Sequence, residues 1–379
     1  MGLGGAERLI LQASAALRKV GWKTILVTSD YNPEKAFSEA AVETIHSVPT
    51  MVPATIYGRF KAVCTYARLR RAVSVFRREP RPDLVVLDLL PHLVPAIRAA
   101  MPRVPILVYC HFPDQLLSSA NHSLCYGLYR HWFDQLENEG LVLADQVLVN
   151  SDFTRRAVLK TCPMLDPSRV NVTYPGVDVG DARLPAAVPE GRSAVLCLGR
   201  IHPSKNLRLA LRAFAVADLA DDVRLIVAGG LDSHDPACWA EAANLEQLAM
   251  KLGVSHRVDW VFNPSDGEVE ALWSRARALL HPPLEEHFGI VLLESMKRGI
   301  PVVAVNGGGP KEIVVHRTTG FLAEPTPAAL AAAMVETFCD LGLWQSLSEA
   351  SQTRVVETFD LARFDRAIQS VAECLVAEK

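Results

Sequence analysis

At 379 residues the chain carries about two domains' worth of sequence, enough for two hydrophobic cores, which excludes a single small binding module. Half the residues are apolar and 21% are charged, with 22 Gly and 24 Pro, a balance that excludes disordered, collagen-like and coiled-coil classes. The formal charge of -3 argues against a general nucleic-acid-binding surface, although it leaves room for local basic patches.

Strand-like apolar runs alternate with amphipathic helical stretches, the rhythm of parallel sheets covered by helices on both faces. A helix is predicted over 5–20, with Leu9, Ala13, Ala16, Leu17 and Val20 on one stripe. Strands are predicted at 24–28, 84–87, 106–109 and 146–149 in the first half. In the second half they are predicted at 194–198, 224–228, 258–261, 278–281 and 301–305. A helix over 203–217 carries Leu207, Leu211 and Phe214 on one side. Periodicity fades where Pro, Gly, Asp and Ala crowd together at 174–189, and beyond 343 the pattern is helical to the end. The expected division is 1–180, 181–343 and a helical tail at 344–379, with both main parts doubly wound. The chain opens on a Gly-rich loop and helix with no strand ahead of them, whereas a doubly wound domain normally starts with a strand. The expectation is a missing N-terminal segment or a lobe without its first central strand.

The eight cysteines (64, 110, 125, 162, 197, 238, 339 and 374) stand singly, without a C-x-x-C pair or metal-ligand spacing, which predicts reduced thiols in a cytosolic compartment and no metal site. No apolar run reaches the ~20 residues a membrane-spanning helix needs, and Met1 to Arg8 lack the apolar centre of a secretory signal. The sequons at Asn121 and Asn171 are therefore expected to stay unmodified.

Four constellations follow predicted strands, where open α/β sheets bind ligands. Glu285-Glu286-His-Phe-Gly-Ile-Val-Leu-Leu-Glu294 places Glu286 in a loop and Glu294 on the following helix, about 8 Å further along at ~1.5 Å per residue. Two carboxylates so spaced can grip hydroxyls on either side of a pyrophosphate, with backbone N–H groups at Phe288, Gly289 and Ile290 facing the phosphates. One solvated Glu and one helix-capping Glu is the alternative, and spacing does not choose between them. Leu198-Gly-Arg-Ile-His-Pro-Ser-Lys-Asn206 offers Arg200 and Lys205 to phosphate charge, or to solvent. In Asn306-Gly-Gly-Gly-Pro-Lys-Glu312 three glycines let backbone N–H groups approach an anion or a sugar, and Gly2-Leu-Gly4-Gly5 has the same logic. Neither is a complete dinucleotide fingerprint. In Tyr109-Cys-His-Phe-Pro-Asp114, His111 is expected to project into a cleft between the lobes and Asp114 to orient an acceptor or cap a turn. Finally, the stretch 57–81 holds Arg59, Lys61, Arg68, Arg70, Arg71, Arg77, Arg78 and Arg81 against Glu79, with Phe60, Val63, Tyr66, Leu69, Val73 and Phe76 interleaved. It reads as a basic amphipathic helix for an anionic lipid surface or as a solvated charged face.

Together these phrases resemble the retaining glycosyltransferases of the GT-B fold that carry an E-x7-E motif, the GT4 group. Within it they are most similar to the eukaryotic dolichol-pathway α-1,3/1,6-mannosyltransferases. Gly4-Gly-Ala-Glu-Arg8, Tyr109-Cys-His-Phe-Pro-Asp114, Leu148-Val-Asn-Ser151, Val227-Ala-Gly-Gly230, Glu286-His-Phe-Gly-Ile-Val291 and Ala304-Val-Asn-Gly-Gly-Gly-Pro310 carry the match. The resemblance implies two Rossmann-like domains facing a cleft. It further implies transfer of mannose from GDP-mannose, without a metal or other cofactor, to a dolichol-diphosphate-linked Man-GlcNAc2 acceptor, α-1,3 and then α-1,6. By the same resemblance Glu286 contacts the donor mannose, Glu294 the ribose, Arg200 and Lys205 the diphosphate, and His111 the donor sugar, while the Gly4-Gly5 loop lies near the pyrophosphate. It also implies peripheral attachment at the cytosolic face of the endoplasmic reticulum and complexes with other mannosyltransferases of the pathway. A UDP-sugar transferase and a catalytically silent nucleotide-sugar-binding relative are the alternatives.

Overall fold

The structure, a computed structural model, describes residues 5–28, 44–48, 52–53, 61–74, 81–117, 124–180, 193–232 and 236–378. Gly4 and the ends of the basic stretch, 57–60 and 75–80, lie outside the described residues. The chain divides into two compact units, Met1–Pro175 with Ala362–Lys379 and Gly176–Leu361.

In the first unit β1 (Leu26–Thr28) and β2 (Ile45–Ser47) form a parallel pair, while β3 (Val85–Asp88), β4 (Ile106–Cys110), β5 (Gln146–Val149) and β6 (Val170–Val172) form a parallel sheet in that order. All five residues of β4 are buried, as a parallel strand covered on both faces requires. Around it Ile97, Val108, Leu141, Val147 and Val158 make one core. The helix Gly5–Lys19 buries Leu9, Ala13, Ala16 and Leu17, the predicted stripe. Val20 falls just past its end and is exposed instead.

In the second unit β7 (Ala194–Leu198), β8 (Arg224–Gly229), β9 (Val258–Phe262), β10 (Ala276–His281), β11 (Val302–Val305) and β12 (Gly320–Ala323) are ordered β12-β11-β10-β7-β8-β9, all parallel. Succession runs outward from β7 to one edge and then returns to β10 beside β7, so the order reverses between these two strands. Val195, Leu211, Phe214, Leu225, Leu245 and Leu330 are in its core.

All nine predicted runs fold as strands. Strands β2, β6 and β12 add to them; at three or four residues each they are too short to show a pattern. The predicted helix 203–217 is broken. Pro203–Lys205 forms a 3-10 turn, Asn206 adopts the left-handed conformation (φ 49°), and the α-helix runs Leu207–Val216. The helices read as one tail divide between the units. Trp344, on Leu341–Thr358, donates its indole N–H to the Arg277 carbonyl at 2.8 Å in the second unit. In the first unit, the helix Leu361–Ala377 is tied to Gly5–Lys19 by Lys19 Nζ to Asp365 Oδ2 at 2.6 Å and by Gln369 Nε2 to the Ala16 carbonyl at 2.7 Å.

Candidate active site

The reversal between β7 and β10 puts two loops side by side at the carboxyl ends of neighbouring central strands, where an open α/β sheet forms a ligand crevice. The loop after β7 is shaped by its 3-10 turn, capped by His202 Nδ1, which accepts the Ser204 N–H at 3.1 Å. Asn206 ends the turn and donates from Nδ2 to the Pro282 carbonyl at 3.2 Å, tying this loop to the one after β10. Across the junction Lys205 Nζ meets Glu286 Oε2 at 2.5 Å. The two side chains are 24% and 14% exposed, so the pair is sheltered but open to a ligand. Burial by itself pushes the Glu286 carboxyl up; contact with His281 and the Lys205 ammonium outweighs it and holds the carboxyl well below the usual carboxylate range. Glu286 is therefore a fixed negative charge at any physiological pH.

The triple-glycine phrase after β11 also supports the Glu286 loop. Gly309 donates its N–H to the Glu286 carbonyl at 2.8 Å. A Cβ on Gly308 (φ +55°) would stand 2.2 Å from that carbonyl oxygen, and one on Gly309 2.5 Å from Phe288 Cα. The glycines let one backbone support the Glu286 loop directly from another. Gly308→Ala is expected to lower stability by about 2–4 kcal/mol through overpacking and left-handed strain, measured as a shift in urea midpoint. A midpoint within error of wild type would show that the loop is not braced there.

Glu294 lies half-buried on the helix Ile290–Met296, which starts directly after Gly289 (φ 98°). Its backbone carbonyl accepts from Arg298 Nη1 at 2.8 Å. Phe288 is buried with its ring edge-on to Phe359 at 6.1 Å, so its side chain anchors the loop. Ile290 is half-buried and Arg200 exposed, the latter with no ion pair among the described residues.

In the first unit His111 follows β4. Its Nε2 lies 2.7 Å from Asp88 Oδ1 at the end of β3, and its carbonyl accepts from Asn150 Nδ2 at 3.0 Å and Thr154 Oγ1 at 3.3 Å. A carboxylate on one ring nitrogen fixes both ring orientation and tautomer. Asp114 opens the short helix Asp114–Leu117 and pairs through Oδ2 with Arg130 at 2.8 Å. The buried Glu137 accepts the N–H groups of Asp114 (2.7 Å) and Gln115 (3.1 Å). Gly5 is the first residue of its helix.

The structure thus joins Lys205 to Glu286 and holds His111 and Asp114 on one loop. It adds residues that the motifs do not single out: His281, Asp88, Arg130 and Glu137. Asp88 stands one position beyond the predicted run 84–87, and His281 is the last residue of another, so both had a positional signal. Glu137 had none among the acids of its helix.

Two parallel-sheet α/β units, the second doubly wound with a cation–carboxylate pair at its reversal point, make up the GT-B architecture of glycosyltransferases; the first unit, expected to be doubly wound as well, shows four strands in sequential order and a separate pair among the described residues. Residues 3–181 match Glycosyltransferase Family 4 and residues 181–353 match Glycosyl transferases group 1. Alpha-1,3/1,6-mannosyltransferase ALG2 of Mus musculus is 33% identical over 391 residues, 98% of this chain and 94% of that protein. The Homo sapiens counterpart is 33% identical over 381 residues, 96% and 91% of the two chains. Sucrose-phosphate synthase of Thermosynechococcus elongatus shares the fold, with a TM-score of 0.82 at 21% identity over 99% of this chain and 94% of that one. The chain belongs to the α-1,3/1,6-mannosyltransferase family of GT-B glycosyltransferases.

Proposed function

We propose that the protein transfers mannose from GDP-mannose to a dolichol-diphosphate-linked Man-GlcNAc2 acceptor, first α-1,3 and then α-1,6, with retention at the anomeric carbon and without a metal ion. The observation that carries this reading is the Lys205–Glu286 pair joining the loops after β7 and β10. A diphosphate entering there draws the ammonium, with the exposed Arg200 as its second cation, and Glu286 is left to hold hydroxyls of the mannose. Glu294 takes the ribose. The bond from C1 to the diphosphate oxygen breaks as the acceptor oxygen bonds to C1 on the same face, and the acceptor's proton passes to the departing phosphate. The protein's contribution is alignment and stabilisation of the leaving charge. His111, oriented by Asp88, serves the donor sugar, and Asp114 serves the acceptor.

Acceptors of this kind sit in a membrane, and no helix among the described residues is long and apolar enough to cross one. The basic stretch 57–81 supports peripheral contact with the cytosolic leaflet of the endoplasmic reticulum. Within it the helix Lys61–Arg70 buries Cys64 and exposes Arg70. Calorimetry with GDP and UDP, followed by mass analysis of the lipid-linked product, tests the reading. Binding of GDP in preference to UDP and stepwise gain of two hexoses are expected; preference for UDP, or no hexose gained, would overturn it.

A further inference from the structure

His281 ends β10 with its side chain 6% exposed, and its Nε2 lies 3.3 Å from Glu286 Oε2. The contact is not aligned as a hydrogen bond, and this buried nitrogen has no other hydrogen-bond partner among the described residues. A buried polar atom without a partner is costly and calls for an explanation. The oxygen it faces is the one already taken by Lys205 at 2.5 Å. Lys205 is mobile and multidentate, sits on a loop turn, and is the group a donor diphosphate would attract. His281 sits on the rigid end of a central strand and cannot follow.

We infer that His281 is a positioning residue for Glu286: when Lys205 swings from Glu286 to the donor diphosphate, the carboxylate turns to accept the His281 Nε2–H. Glu286 then keeps its orientation toward the sugar hydroxyls at the moment its ammonium partner leaves. The nitrogen is left unpaired while Lys205 holds Glu286 and finds its partner once the ammonium has moved. This inference rests on reading the Lys205 site as a diphosphate site, and it deepens that reading by giving the two partners of Glu286 separate turns, the ammonium first and the imidazole once the ammonium has moved.

The test uses the full chain labelled with [15N]histidine, the His281 signal being assigned by its loss in His281→Gln. In the free Lys205→Met variant, where no ammonium competes, the Nε2–H resonance is expected to move downfield and sharpen relative to free wild type. GDP added to wild type is expected to produce the same change. Kinetically, His281→Leu should lower kcat 10–100-fold with donor KM within threefold, and His281→Gln, which retains an N–H donor, should stay within fivefold of wild-type kcat. An unmoved resonance in Lys205→Met overturns the inference, as does a His281→Leu enzyme with wild-type kcat or a His281→Gln enzyme no better than His281→Leu. If wild type binds no GDP by calorimetry, the donor reading fails, while the Lys205→Met spectrum still decides whether His281 is the second partner of Glu286.

Discussion

Lys205→Met is expected to reduce kcat/KM for the nucleotide-sugar donor by about 10²–10³-fold, the usual loss when one group that stabilises developing charge is removed from a sheltered site. The same change leaves Glu286, 14% exposed and ionised, without its ammonium. Breaking a buried pair from one side is expected to cost about 3 kcal/mol of stability, because the surviving charge stays desolvated. Two measurements separate these effects. In urea unfolding, the double variant Lys205→Met/Glu286→Leu should recover most of the lost stability, since it removes the stranded charge as well. In transfer assays it should remain at least as impaired as the single variant, because neither the proposed diphosphate cation nor the proposed sugar-binding carboxylate is present. A single variant with wild-type kcat/KM would remove Lys205 from the proposed machinery.

The second large effect is on stability and its pH dependence. Burial pushes the Glu137 carboxyl up to about 7, with the nearby Asp114 and Asp134 adding to the rise and the N–H groups of Asp114 and Gln115 opposing it. A carboxyl whose folded-state pKa lies above its unfolded value binds more protons when folded. Stability therefore falls as pH rises between about 4.5 and 7 and is level above that window. The full span is on the order of 3 kcal/mol, because each tenfold difference in proton affinity between the folded and unfolded chain is worth about 1.4 kcal/mol. In Glu137→Gln this component is absent, so wild type should gain about 2–3 kcal/mol relative to the variant when urea unfolding is moved from pH 8 to about pH 5. Parallel stabilities at the two pH values would show that Glu137 titrates normally. The site is affected too, since Glu137 holds the first turn after the His111 loop.

Much of this was legible in the linear pattern where a local rule applied. Runs such as 106–109 and 194–198 are apolar throughout because parallel strands are covered on both faces. The loops that follow β7 and β10 single out Lys205 and Glu286 by their place at strand ends, and the structure joins these two. Other features had no local signal. Asn206 breaks a stretch with good helical periodicity because its side chain is needed by the Pro282 carbonyl, 76 residues away. Phe288 looks like part of a binding phrase, yet its ring belongs to the core beside Phe359. That the three glycines after β11 brace the Glu286 loop was likewise not visible in the phrase itself.

By itself, the sequence determined two α/β halves, the places of their longer strands and the chemical kinds of residue at the strand ends, because hydrophobic period and loop composition are properties of neighbouring residues. Tertiary structure alone decided that Lys205 meets Glu286 across 81 positions, that His111 leans on Asp88, and that His281 and Glu137 are buried where their chemistry matters. Those pairings depend on which strands lie side by side, and the return of the chain from β9 to β10 beside β7 is a choice made by packing the whole sheet.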